Sequence, residues 1–169
     1  IKKGLENSKG IEGRFELVKN DKGYNVIVDY AHTPDALKNI LSAVKEFSKG
    51  KIITVFGCGG DRDKQKRPIM GNIVQENSDI AIITSDNPRT ENPKDIINDI
   101  LYGINNKINN YVVIEDRKKA IEKAISIAKK NDIVLIAGKG HETYQIIGKI
   151  KYDFDDRKIA KEIINTIDI

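Results

Sequence analysis

At 169 residues the chain is long enough for one well-buried core and too short for two ordinary domains. Hydrophobic residues at 39%, charged residues at 32% and only 4 prolines exclude a disordered or collagen-like chain. The 29 basic residues interleave with 25 acidic ones to a net charge of +4 without a long basic run, which describes a solvated surface and argues against a nucleic-acid partner.

In chain order, residues 1–12 read as a leader from something upstream, and the domain proper spans 13–169. Residues 14–19 offer an edge strand. Runs rich in β-branched residues at 25–29, 51–56, 80–84, 111–114 and 132–137 then read as strands buried on both faces. Segments of helical period lie between them, over 34–47, 68–78, 93–107 and 117–129. Pro34, Pro68 and Pro93 stand at three of the helix starts, where a missing N–H is not needed. A hairpin containing Gly148 over 144–154 and a closing helix over 155–167 complete the chain. Strands alternating with helices predict an α/β fold: a Rossmann-like, doubly wound, mostly parallel sheet of about six strands, helices on both faces and a C-terminal β-hairpin.

No apolar run approaches the roughly 18 residues that span a bilayer, and residues 1–10 carry no signal-peptide core, so a cytoplasmic chain without a membrane partner is expected. The lone cysteine, Cys58, excludes an intrachain disulfide, and no zinc-type spacing occurs, so no metal site is expected.

Open α/β sheets bind ligands beyond the carboxyl ends of their strands, and the unusual residues collect there. The first long strand runs into Asp29-Tyr-Ala-His-Thr-Pro-Asp35, the next into Gly57-Cys-Gly-Gly-Asp-Arg-Asp63, the third into Ser85-Asp-Asn-Pro-Arg89 and the last into Gly138-Lys-Gly-His-Glu142. Each has a bland reading as a turn or helix cap. The phosphate-loop pattern of Gly, four residues, Gly-Lys-Ser/Thr occurs nowhere. A nucleophilic Cys58 is disfavoured, because a phosphatase-type loop needs arginine six positions on and Lys64 stands there; a small, half-buried thiol is expected. Convergence carries more weight: one rim gathers Arg62, Asn87, Arg89, Lys139, His141 and Glu142. Guanidinium groups grip carboxylates and an acid holds an ammonium, so a site with both signs fits a zwitterionic amino acid.

Together with Gly13-Arg-Phe-Glu16 and a closing Phe154-Asp-Asp-Arg157, these motifs, in order over nearly the whole chain, resemble the C-terminal domain of the Mur ligase family, in its diaminopimelate-adding branch. The resemblance implies one part of a three-domain cytoplasmic enzyme of peptidoglycan synthesis, acting as a monomer, whose central domain holds most of the ATP and Mg2+ and whose first domain holds UDP-MurNAc-L-Ala-D-Glu. The implied reaction is ATP-dependent amide formation with meso-diaminopimelate, or an analogue such as meso-lanthionine, as the incoming amine. The implied diaminopimelate binders are Arg62, Asp86, Asn87, Arg89, Gly138 and Glu142. Arg14, Asp29, Tyr30 and His32 match positions that approach ATP on domain closure, and no catalytic residue falls within this domain. Sister ligases (folylpolyglutamate synthase, cyanophycin synthetase and the dipeptide-adding Mur ligase) share an Asp-Tyr-Ala-His-Asn-Pro-like run, against which Thr33 and the full Asp86-Asn-Pro-Arg89 motif argue.

Overall fold

The computed structural model describes residues 12–167, so most of the expected leader lies outside the described residues. Among the described residues eight strands and five helices follow one another: β1 (Glu16–Val18), β2 (Asn25–Asp29), α1 (Pro34–Phe47), β3 (Ile52–Phe56), α2 (Lys66–Asn77), β4 (Ile80–Ile83), α3 (Pro93–Leu101), β5 (Tyr111–Val113), α4 (Arg117–Ile127), β6 (Ile133–Ala137), β7 (Tyr144–Ile147), β8 (Ile150–Asp153) and α5 (Asp156–Thr166). The main sheet has the order β1-β2-β6-β3-β4-β5, parallel except for β1, and β7-β8 form a separate antiparallel pair. The expected α/β architecture with its C-terminal hairpin is therefore present.

The alternation of β-branched side chains explains the layering, since successive residues of a strand point to opposite faces. Ile27, Ile52, Phe56, Leu135 and Ala137 pack with Leu37, Leu41 and Val44 of α1, Met70 and Val74 of α2, and Ile96 and Ile100 of α3. Their neighbours Val26, Val28, Ile53, Val55, Val134 and Ile136 pack on the other face with Ala120, Ile121, Ala124 and Ile125 of α4 and Ala160, Ile163 and Ile164 of α5. Burying one such aliphatic side chain is worth about 1.5–3 kcal/mol. Helix starts follow their caps: Thr33, Asn92, Asp116 and Asp155 each accept a first-turn N–H.

Three expectations need correction. Pro68 is the third residue of α2, which begins at Lys66, so only Pro34 and Pro93 open their helices. The helix expected to reach residue 107 stops at Leu101. The cause is Gln75 of α2, whose amide both accepts from Asn105 N (2.8 Å) and donates to Asn105 O (3.1 Å), capturing the backbone that helical bonds would need. Tyr111–Val113 is not buried on both faces; it is the far edge of the sheet, and Val113 is exposed.

Parallel register aligns the strand ends. Asp29 sits opposite Ala137, Val55 opposite Ile136 and Phe56 opposite Ile83, so the loops after β2, β3, β4 and β6 leave from one rim. Arg157 of α5 ties Asp155 and Glu12 together through hydrogen bonds of 2.9 and 2.7 Å. No helix among the described residues is long and apolar enough to cross a membrane.

Candidate functional site

The centre of the rim is a buried polar cluster built from two loops. Lys139, fully buried just beyond β6, donates to Asn87 Oδ1 (3.0 Å) and Glu142 Oε2 (3.3 Å), and its Nζ lies 3.6 Å from Asp86 Oδ1. Asn87 in turn donates from Nδ2 to Glu142 Oε2 (2.9 Å), while its Oδ1 also accepts from Ile146 N (2.9 Å). Gln145 donates to the Asp86 carbonyl at 2.6 Å. The β7 strand therefore clasps the Asp86-Asn87 turn from outside.

Gly138 makes this packing possible. Its φ of +117° is one that side-chain-bearing residues rarely adopt, and an added Cβ would lie 2.8 Å from Asp86 Oδ2. Burial pushes the Asp86 carboxyl up from its ordinary range, opposed by the positive charges of Arg117 and Lys139.

Arg89 leaves this cluster in the left-handed region at φ 52°. Its backbone bonds to β7 and the hairpin turn, with Arg89 N donating to Ile146 O (3.0 Å) and Gly148 N donating to Arg89 O (2.7 Å). That double clasp holds a conformation that otherwise costs about 1–3 kcal/mol. The guanidinium donates to Gly60 O at 2.7 Å, and Gly60 N donates to Asn87 O at 2.8 Å. The loop after β3 is thus zipped to the loop after β4. A Cβ at Gly60 would collide with the Pro88 carbonyl, which explains the glycine. Arg62 and Arg89 flank Gly59: a Cβ there would lie 3.7 Å from Arg62 Cγ and 2.8 Å from Arg89 Nη1. Arg62 itself is exposed and donates to its neighbour, Asp61 O, at 3.0 Å.

The residues expected near ATP lie on the adjoining part of the rim. Asp29 has both oxygens engaged, Oδ2 by Phe15 N (2.7 Å) and Oδ1 by Ala31 N (2.8 Å), so it pins the loop entrance. Tyr30 stands between two histidines, with ring centroids 4.4 Å from His32 and 5.1 Å from His141. His32 and Arg14 are exposed. The rings are tilted to one another, Tyr30 at 55° to His32 and 44° to His141. Among the described residues no group of three or more His, Cys, Asp or Glu side chains is placed to hold a metal ion.

Two buried arginines were not foreseen. Arg67 of α2 reaches under the glycine loop, gripping Glu91 (2.9 and 2.8 Å) and Asp99 (2.8 Å) and donating to Gly59 O (3.2 Å). These bonds pull the Glu91 carboxyl down from 4.5 to about 2. Arg117 makes a fully buried bidentate pair with Asp156 (2.9 and 2.7 Å) and donates to Ala137 O (3.0 Å), bracing the end of β6. The sequence signal was a lone charge on an otherwise apolar helix face. Cys58 is buried rather than half-buried, contacts Met70 Sδ at 3.7 Å, and is pushed up to about 12 chiefly by burial. It is no nucleophile.

The Mur ligase, glutamate ligase domain family matches residues 13–140. A UDP-N-acetylmuramoyl-L-alanyl-D-glutamate–2,6-diaminopimelate ligase of Clostridioides difficile (strain 630) is 63% identical over 164 residues, 97% of this chain and 34% of that protein. The ligase of the same name from Clostridium botulinum (strain ATCC 19397 / Type A) is 57% identical over 99% of this chain and 35% of its own length. A solved ligase of that name superposes with a TM-score of 0.86 at 42% identity, covering 92% of this chain and 32% of the other. FolC of E. coli, solved with ADP, shares the fold at 22% identity and a TM-score of 0.57, over 78% of this chain and 29% of that one. The chain spans about a third of the length of the curated relatives it matches. With a family match that covers the sheet and all four rim loops as far as Gly140, the chain belongs to the Mur ligase, glutamate ligase domain family.

Proposed function

We propose that this chain is the amino-acid-binding domain of an ATP-dependent ligase that joins meso-diaminopimelate, or a close analogue such as meso-lanthionine, to the D-glutamyl carboxylate of UDP-MurNAc-L-Ala-D-Glu in peptidoglycan synthesis. The observation that carries the reading is the cluster in which Asn87 presents an amide N–H beside the Glu142 carboxylate, with Arg89 and Arg62 flanking the neighbouring Gly59. Donors for a carboxylate and an acceptor for an ammonium stand side by side. That arrangement matches one α-amino-acid end of a molecule whose other amine remains free to react.

In this reading Arg62, Asn87 and Arg89 bind the distal carboxylate, while Glu142 and the Gly138 backbone hold the distal ammonium. Asp86 shapes the pocket from behind Gly138. Lysine lacks the second carboxylate and would leave the half-buried Arg89 and the exposed Arg62 without that partner. Losing charge-assisted hydrogen bonds of this kind costs about 1.5–3 kcal/mol, or about one to two decades in selectivity. ATP supplies the phosphoryl group that activates the acceptor carboxylate. Arg14, Tyr30 and His32 contact the nucleotide from this side, and preceding domains of the same monomer hold Mg2+, most of the ATP and the UDP-linked acceptor. This domain contributes a positioned amine, for which effective molarity supplies about 7–11 kcal/mol. Soluble nucleotide-linked substrates place the enzyme in the cytoplasm.

A substrate screen on the full-length enzyme tests the reading. ATP-dependent ligation of meso-diaminopimelate far above L-lysine or L-glutamate is expected, with no ATP hydrolysis by the isolated domain. Preference for lysine, glutamate or a dipeptide would overturn it.

A further inference from the structure

Lys139 is the least expected member of the rim cluster, because a fully buried lysine cannot reach a ligand directly. A lysine ammonium offers three donors and no acceptor. Here two of them meet Asn87 Oδ1 at 3.0 Å and Glu142 Oε2 at 3.3 Å, and Asp86 Oδ1 lies 3.6 Å from Nζ as an ion-pair partner. The Ile146 backbone N–H, also a pure donor, meets the same Asn87 oxygen at 2.9 Å. Two donors converging on one atom fix the polarity of the Asn87 amide. Were the amide reversed, its NH2 would face two donors and find no acceptor. The Nδ2 atom must therefore point to Glu142 and the rim.

Glu142 is set by the same lysine. Both Asn87 Nδ2 (2.9 Å) and Lys139 Nζ (3.3 Å) bond to Oε2, so Oε1 is the oxygen turned to an incoming group. Without the ammonium, the Asp86 and Glu142 carboxylates would repel more strongly, with Arg117 still acting on Asp86, and Asn87 would lose one of the two donors that hold its oxygen.

We infer that Lys139 is a positioning residue that fixes which face of Asn87 and which oxygen of Glu142 the site offers, and so makes the pocket a reader of a carboxylate next to an ammonium. The inference rests on the amino-acid-binding reading of the same site. It separates Lys139 from residues that touch substrate: its loss weakens amino-acid capture through Asn87, and leaves ATP use and the chemical step largely as they were.

The test uses the full-length ligase with the amino acid that the wild-type screen selects, so that a screen returning a different substrate would count against the proposed function alone. Lys139→Met should raise the KM for that amino acid by about tenfold or more while kcat and the KM for ATP stay within about threefold. In an Asn87→Ala background, where no amide polarity remains to be set, the same Lys139→Met change should cost several-fold less than in the wild type, the remainder being its hold on Glu142. If Lys139→Met does not fold, Lys139→Gln decides the matter, since its neutral NH2 still donates to Asn87 Oδ1 and should give a smaller rise in KM. Parallel losses in kcat and in both KM values, or a Lys139 effect undiminished in the Asn87→Ala background, would mean that the lysine merely holds the fold and would overturn the inference.

Discussion

Arg67 and Glu91, 24 residues apart in sequence, face each other through two parallel hydrogen bonds of 2.9 and 2.8 Å beneath the glycine loop after β3. Glu91 also accepts from Asp61 N at 2.6 Å, and Arg67 donates to Gly59 O at 3.2 Å. One ion pair thus braces the loop that carries Arg62 from two sides.

The pair has a pH signature. Glu91 is held at about 2 in the fold against 4.5 ordinarily, chiefly by the Arg67 hydrogen bonds, so it contributes stability that is complete above about pH 4.5 and lost as the pH falls toward about 2. Glu91→Gln should therefore be less stable than wild type near neutrality, and urea denaturation should show the gap narrowing steadily below about pH 4.5. A gap of constant size down to about pH 2 would show that Glu91 is not the titrating group.

The Arg117–Asp156 pair is sealed on all sides, so its two members are worth far more together than apart. Asp156→Leu alone strands a buried guanidinium and should lose about 3–5 kcal/mol in denaturant titrations. Arg117→Met combined with Asp156→Leu should recover most of that loss, because two apolar side chains need no partner. Additive losses in the double variant would contradict this.

Gly138 is required twice over, by its φ of +117° and by Asp86 behind it. Gly138→Ala should destabilise the domain by about 1–3 kcal/mol and displace the Asp86-Asn87 turn, raising the KM for the amino acid in the full-length enzyme. An unchanged melting temperature together with unchanged KM would show that the turn tolerates a methyl group.

Cys58 should be silent in the native state. With the thiol buried and pushed up to about 12, native protein should resist alkylation near pH 8 and react only as fast as it unfolds, which mass spectrometry over a denaturant series can follow. Rapid labelling without denaturant would mean that the glycine loop opens readily.

The layering was legible in the sequence because β-branched runs such as Ile133–Ala137 alternate faces between two apolar helix layers, and because Pro34 and Pro93 mark the starts of two helices. The end of α3 was not, because Gln75, a residue from another helix, takes the Asn105 backbone; no local pattern encodes that contact. The rim residues could be gathered from strand-end position alone. Their contacts could not: nothing local to Asp29 shows that Phe15, 14 residues earlier, occupies one of its oxygens while Ala31 takes the other. Arg67 precedes the helix start expected at Pro68, and it is buried because Glu91 and Asp99 arrive from other segments to neutralise it.

The central claim is that this rim reads the carboxylate of an amino-acid end, and Arg89 tests it most directly. Steady-state kinetics of the full-length enzyme carrying Arg89→Ala should show kcat/KM for meso-diaminopimelate reduced by about one to two decades with the KM for ATP unchanged. Wild-type kinetics with meso-diaminopimelate in that variant would contradict the account.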